Sequence, residues 1–206
     1  MPDSDDELVP IARFRALDGA LVAEVDLTRH RRPVEDLIAH ARCLGADKLW
    51  LHAHVVEAGF GFKRRGSYTR LEAARPPAPV ELALPPLVRV HEIQRACFAD
   101  VWGHHDPGLP DSGSLFVGLH EGGAWVGICE VDPDAQWIDG PGVVPSFRTP
   151  DRYARLVRGA AAYLRNEPVV LESWGDGAST RAAYVSLGFE VVHAVSGWEL
   201  DLTAGR

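Results

Sequence analysis

The sequence predicts an α/β fold: a mixed β-sheet flanked by helices, preceded by a partial copy of the same pattern. Three observations carry this. Residues 88–206 alternate short apolar strand runs with runs of helical period. "ARPPAPVELALPP", residues 74–86, crowds five prolines into a stretch that cannot continue a helix, and divides the chain. Residues 11–73 repeat, in worn form, the helix–strand succession of the chain's second part. The expected organisation is a truncated half-domain at 1–75, a proline-rich linker at 76–87 and a full domain at 88–206.

The elements follow in order. In the first part, "RRPVEDLIAHARCLGADKLWLHAH" matches "RTPDRYARLVRGAAAYLRNEPVVLES" as an arginine-proline helix start, an alanine-leucine helix and an apolar strand. "GFKRRGSYTRLEA" likewise matches "GFEVVHAVSGWELDL". In the second part, Val90, Ile93, Cys97 and Val101 fall at helical spacing. The polar loop "WGHHDPGLPDSG" follows. "SLFVGLH" and "AWVGICEV" flank "EGG" as a hairpin. "QWIDGPGVVPSF" is a strand in which Gly140-Pro141-Gly142 predicts a bulge or splay. Thr149 is a helix N-cap and Pro150 the first helical residue, with Tyr153, Leu156, Val157, Ala160 and Leu164 on one face. "VVLESW" is a buried-type strand, "GASTRAAYVSL" a short helix capped by Gly188, and "FEVVHAV" and "GWELDL" two closing strands.

Composition narrows the function classes. Of 206 residues none form an apolar run long enough to span a membrane, and the acidic "MPDSDDELVP" lacks the basic and apolar regions of a signal peptide, so a cytoplasmic protein is expected. The net charge is −8; residues 1–80 balance, and the deficit lies in the remainder, with 9 basic against 17 acidic residues. That argues against a nucleic-acid partner and equally suits a cationic substrate or simple solubility. Cys43, Cys97 and Cys129 are far apart among apolar neighbours and read as reduced core thiols. His52 and His54 share a strand face and His104-His105-Asp106 cluster. No third ligand has diagnostic spacing, so no metal is expected. A homodimer is compatible with the sequence.

Two segments bear on chemistry. "VVPSFRTPDRYARL" is a strand turning into a helix whose free amides, flanked by Arg148, Arg152 and Arg155, could hold an anion. "AAYVSLGF" is a helix ending three residues after a tyrosine. With the element order, these segments resemble the GNAT superfamily of N-acetyltransferases, well over residues 88–202 and as a half-domain over 11–73. The resemblance implies acetyl-CoA as co-substrate, lying in a V-shaped gap between two strands. Val143 and Val144 would face its pantetheine, and Arg148, Arg152, Tyr153 and Ala154 would meet its pyrophosphate. The usual loop glycines are replaced by Asp151 and Tyr153, and Pro150 removes one amide donor.

Amine attack on a thioester needs a base and an acid. The resemblance makes Tyr184 the acid; packing against the Phe189 strand is the alternative. Asp139 is the first choice of base, Glu130 the second and Glu172 the third. Trp102, His104, His105 and Asp106 would line the acceptor pocket. The resemblance thus implies acetyl transfer from acetyl-CoA to a small amine by direct attack. The alternative is a catalytically degenerate GNAT-like module that interacts with a partner or senses CoA.

Overall fold

The computed structural model describes residues 11–16, 19–27, 32–54, 56–101, 115–175 and 177–203. Two compact units emerge, residues 1–65 with 195–206, and residues 66–194.

The first unit contains β1 (Ala12–Arg15), β2 (Leu21–Asp26), α1 (Val34–Cys43) and β3 (Lys48–Ala53). Its fourth strand is the distal half of β9 (Glu190–Asp201). β1 is antiparallel to β2, β2 parallel to β3, and β3 antiparallel to β9 from Ser196 to Asp201. Ala23, Val25, Leu49 and Leu51 bury one sheet face with Leu37 and Ala41 of α1 and Leu202.

The second unit contains most of β4 (Lys63–Ala73), then α2 (Leu87–Phe98), β5 (Leu115–Glu121), β6 (Ala124–Asp132) and β7 (Trp137–Val143). α3 (Pro150–Ala160), β8 (Val169–Trp174) and α4 (Ala178–Ser186) complete it. The strand order here is β4-β8-β7-β6-β5, antiparallel except for β7 beside β8. Gly122 and Gly123, at φ +56° and +83°, make the two-residue turn joining β5 to β6, a conformation that suits glycine at both positions. Leu71, Val131, Ile138 and Leu171 point to one face and pack with Leu156 and Val157 of α3 and with Tyr184 and Phe189. α2 crosses the opposite face, with the Phe98 ring over Gly142, where a Cβ would collide with it.

Four expectations change. The proline-rich segment lies within the second unit as a bound strap. The residues between its prolines are held: Val80 N–H bonds Arg158 O, Arg158 Nε bonds Ala78 O, Gly118 N–H bonds Ala83 O, and Leu82 packs on Gly159. The two expected closing strands are the single β9, because Ser196 and Gly197 stay in register with Ala53 and His52 instead of turning. Val101 lies beyond the end of α2, and Cys43 is exposed.

Candidate functional site

The site begins with a bulge. Gly142 pairs with Ile128 and Asp139 with Glu130, so Gly140 and Pro141 together oppose the single residue Cys129. Gly140 sits at φ +49° and Pro141 has no N–H for a ladder. β7 accordingly pairs with β8 at only three positions, Trp137↔Val170, Ile138↔Leu171 and Asp139↔Glu172. Beyond them, Ser173 and Trp174 pair on the other edge of β8, with Thr69 and Tyr68. Where β7 and β8 end, α3 and α4 begin, around a pocket of about 260 Å³ lined by Arg148, Thr149, Tyr153, Trp174, Ser179 and Thr180 among others.

Val143 sits opposite Gly127, with Val144 N–H bonded to Val126 O, so the N–H and C=O of Val143 turn to the edge that β8 has left. Its carbonyl accepts from Arg148 Nε at 3.0 Å. Val144 is committed on both sides, because its carbonyl accepts from Phe147 N–H. Of the two valines expected to face a pantetheine, Val143 alone keeps a donor on that edge.

The first turn of α3 is capped as expected. Thr149 Oγ1 accepts from Arg152 N–H, Pro150 occupies the first position, and Tyr153 N–H bonds Thr149 O. The amides of Arg152, Tyr153 and Ala154 are therefore spent on the cap and on α3 itself, leaving Asp151 as the first-turn amide turned outward. The arginines are also engaged. Arg148 grips Asp100 with both terminal nitrogens, at 2.9 and 2.5 Å, and donates to Cys97 O, so it ties the end of α2 to the end of β7. Hydrogen bonding to this guanidinium holds the Asp100 carboxyl below its ordinary range. Arg152 and Arg155 both bind Glu121. Sequence reasoning missed Asp100 and Glu121, which lie 48 and 31 residues from their partners and carry no local signal.

The three carboxylates weighed as bases are brought together. Register places Glu130, Asp139 and Glu172 side by side on β6, β7 and β8, on the face away from α3 and about 5 Å apart from strand to strand. Asp139, the central and partly buried one, has its carboxyl pushed up to about 7, first by burial and then by Glu130 and Glu172; a hydrogen bond from Gly140 N–H opposes the rise. Arg70 of β4 stands next in the row and contacts Glu172 at 3.6 Å. One step along β8, Trp174 packs on Tyr68 with centroids 4.7 Å apart, and His193 meets the same tyrosine edge-on at 6.1 Å.

Tyr184 is fully buried in the core of the second unit, its ring edge-on to Tyr153 at 6.5 Å. Tyr153 itself lines the pocket, so Tyr184 stands in a second layer behind it. Trp102, His104, His105 and Asp106 lie outside the described residues. His52 is buried against Glu24, whereas His54 follows the end of β3 and is exposed, so the two do not share a strand face. Among the described residues no three His, Cys, Asp or Glu side chains gather as metal ligands, and no helix is long and apolar enough to cross a membrane. Burial pushes the Cys97 thiol up to about 12 and raises Cys129 as well, which leaves neither as a ready nucleophile.

No family model and no curated protein matches the chain. Solved structures do. One, assigned to the GNAT family of acetyltransferases, from Novosphingobium aromaticivorans, is 22% identical, with 79% of this chain and 78% of that chain covered and a TM-score of 0.57. A GCN5-related N-acetyltransferase from Sphaerobacter thermophilus is 13% identical over 93% of this chain and 76% of its own, with a TM-score of 0.58. A conserved protein of unknown function from Staphylococcus epidermidis is 12% identical over 89% and 84%, with a TM-score of 0.57. At these identities the likeness is one of architecture, and it agrees with the helix order and the mixed sheet described above: the chain has the GNAT fold.

Proposed function

We propose that this chain transfers an acetyl group from acetyl-CoA to a small amine by direct attack. The observation that carries the reading is the parting of β7 and β8 after three pairs, the last of them Asp139↔Glu172, with a pocket where the two strands end and α3 and α4 begin. Acetyl-CoA supplies an activated acyl carbon. Val143 N–H, on the edge that β8 has left, is the donor available to an extended amide chain. Asp139 accepts the amine's proton as nitrogen bonds the acyl carbon, and the sulfur takes a proton from an acid as its bond to that carbon breaks; Tyr184, expected in that role, lies behind Tyr153, so it acts there only where the bound thioester reaches past the Tyr153 ring. Glu130 and Glu172 hold the Asp139 pKa up and favour a cationic acceptor. Arg148 has a structural share, keeping the end of α2 at the pocket's mouth.

A second reading, a module that kept the fold and lost its chemistry, is favoured by the first turn of α3, where amides and arginines are already committed. One experiment tests the cofactor binding on which the first reading depends. A ligand that binds only the folded state stabilises it by about 2.7 kcal/mol at a hundredfold excess over Kd. For a chain of this size that raises Tm by roughly 5–10 °C. Millimolar acetyl-CoA should produce this shift, and an unmoved melting curve would leave the second reading standing.

A further inference from the structure

α2 lies along β6 and β7, and two sheet contacts fix its rotation. The Phe98 ring stands over Gly142, and the Cys97 thiol meets the backbone of Ile128 and Val144. At about 100° per residue, Gln94 projects between Phe98 and Cys97, so it too points at the sheet, one turn earlier. Arg148 clamps the end of α2 beside Val143, so that earlier turn runs back along β7, from Gly142 toward Asp139. After Gly142↔Ile128, the next pair on this face is Asp139↔Glu130. Gln94 is buried, 9% exposed, and among the described residues its Oε1 has no hydrogen-bond partner. A carbonyl hidden from water without a donor is a cost to the resting fold, and such a group points to a donor that arrives from outside. The charges acting on Asp139, those of Glu130 and Glu172, are both negative, so the spot also lacks a cation.

We infer that Gln94 is an amine-recognition residue: its Oε1 joins the carboxylates of Glu130 and Asp139 in a seat for a primary ammonium group. All three groups accept hydrogen bonds, and a primary ammonium brings three N–H donors, one for each. Every alkyl group added to the nitrogen removes a donor and leaves Oε1 or a carboxylate unpaired. Glu130 and Asp139 are half-buried, so the nitrogen reaches the seat from their open side. For its use in catalysis the inference rests on the acetyl-transfer reading. A proton passes from the ammonium to Asp139, the neutral nitrogen keeps its N–H bonds to Gln94 and Glu130, and its freed lone pair bonds the acyl carbon.

The test is a titration, followed by NMR chemical shifts, of butylammonium and of butyltrimethylammonium into the full chain without acetyl-CoA, as wild type and as Gln94→Met. Wild type should bind butylammonium roughly tenfold more tightly than its trimethyl analogue. Gln94→Met should bind butylammonium roughly tenfold more weakly than wild type does, with the analogue unchanged. The same substitution should raise the urea midpoint of the free protein, because an unpaired buried carbonyl gives way to an apolar chain of similar length. If wild type shows no preference for butylammonium, or Gln94→Met leaves that affinity unchanged, Gln94 only packs α2 on the sheet and the inference is overturned. A lower midpoint would show the carbonyl paired in the resting protein and overturn it equally. If the preference and its loss are both seen while acetyl-CoA fails to bind, the ammonium seat stands and the acetyl-transfer reading falls. Should Gln94→Met not fold, Gln94→Asn, which draws the carbonyl back by one methylene, should weaken butylammonium binding in the same sense, and no loss there overturns the inference.

Discussion

Asp139 offers the most direct measurement of the site's electrostatics. Its carboxyl is pushed from an ordinary value of 3.8 to about 7 by burial and by Glu130 and Glu172. In the unfolded chain the ordinary value returns. Below about pH 4 both states hold the proton and the residue contributes nothing. Between pH 4 and 7 the unfolded chain has released its proton and the folded chain has not, so stability falls as pH rises. Above pH 7 both are ionised and the penalty is constant. A gap of about three pH units at roughly 1.36 kcal/mol each gives about 4 kcal/mol, and partial exposure reduces this to on the order of 2–4 kcal/mol. Asp139→Asn keeps the shape and cannot ionise. In urea unfolding the variant should match the wild type near pH 4 and exceed it by that margin at pH 8. A difference that stays constant across this range would refute the account. In an acetyl-transfer assay the wild-type rate should rise with a midpoint near pH 7, and Asp139→Asn should lose that rise.

If Tyr184 protonates the thiolate, Tyr184→Phe should lower acetyl-transfer turnover roughly 100-fold with acetyl-CoA affinity unchanged, measured by steady-state kinetics and titration; matched losses of affinity and stability would mark the buried ring as packing alone. Gly142→Ala drives a methyl group into the Phe98 ring and should cost about 1–3 kcal/mol, seen as a lower urea midpoint and relieved in part by adding Phe98→Leu. A fragment of residues 1–75 lacks the strand at 196–201 and Leu202, which complete the first unit's sheet and core; it should give no cooperative melt by circular dichroism, and a sharp transition would contradict the assignment of those residues to the first unit.

Local chemistry was legible in the sequence. Thr149 and Pro150 announced the start of α3, "EGG" the β5–β6 turn, and Gly140-Pro141-Gly142 the bulge, because each acts within a few residues. The spacing of Tyr153, Leu156, Val157 and Ala160 likewise gave the buried face of α3. The roles of the arginines were not legible, since Asp100 and Glu121 reach them only through the folded chain. The row Glu130–Asp139–Glu172 depends on the register of three strands, and a one-residue slip would turn a carboxylate to the other face. Proline content marked residues 74–86 as extended, but whether an extended segment hangs free or is strapped down depends on the partners of Val80 and Leu82.

The strand at 196–201 carries a consequence for how the protein is made. β2 and β3 emerge from the ribosome early, yet the strand that pairs with β3 is synthesised only after the whole of the second unit. Lys48 meets Asp201 across 153 residues of chain, so closing the first unit's sheet waits on synthesis itself and on a long-range search. The second unit, continuous from Gly66 to Ala194, is free to form first and domain-wise. During that interval the β3 edge, with Leu49 and Leu51, lacks its neighbour, and it is there that a nascent chain would recruit a chaperone or pair wrongly.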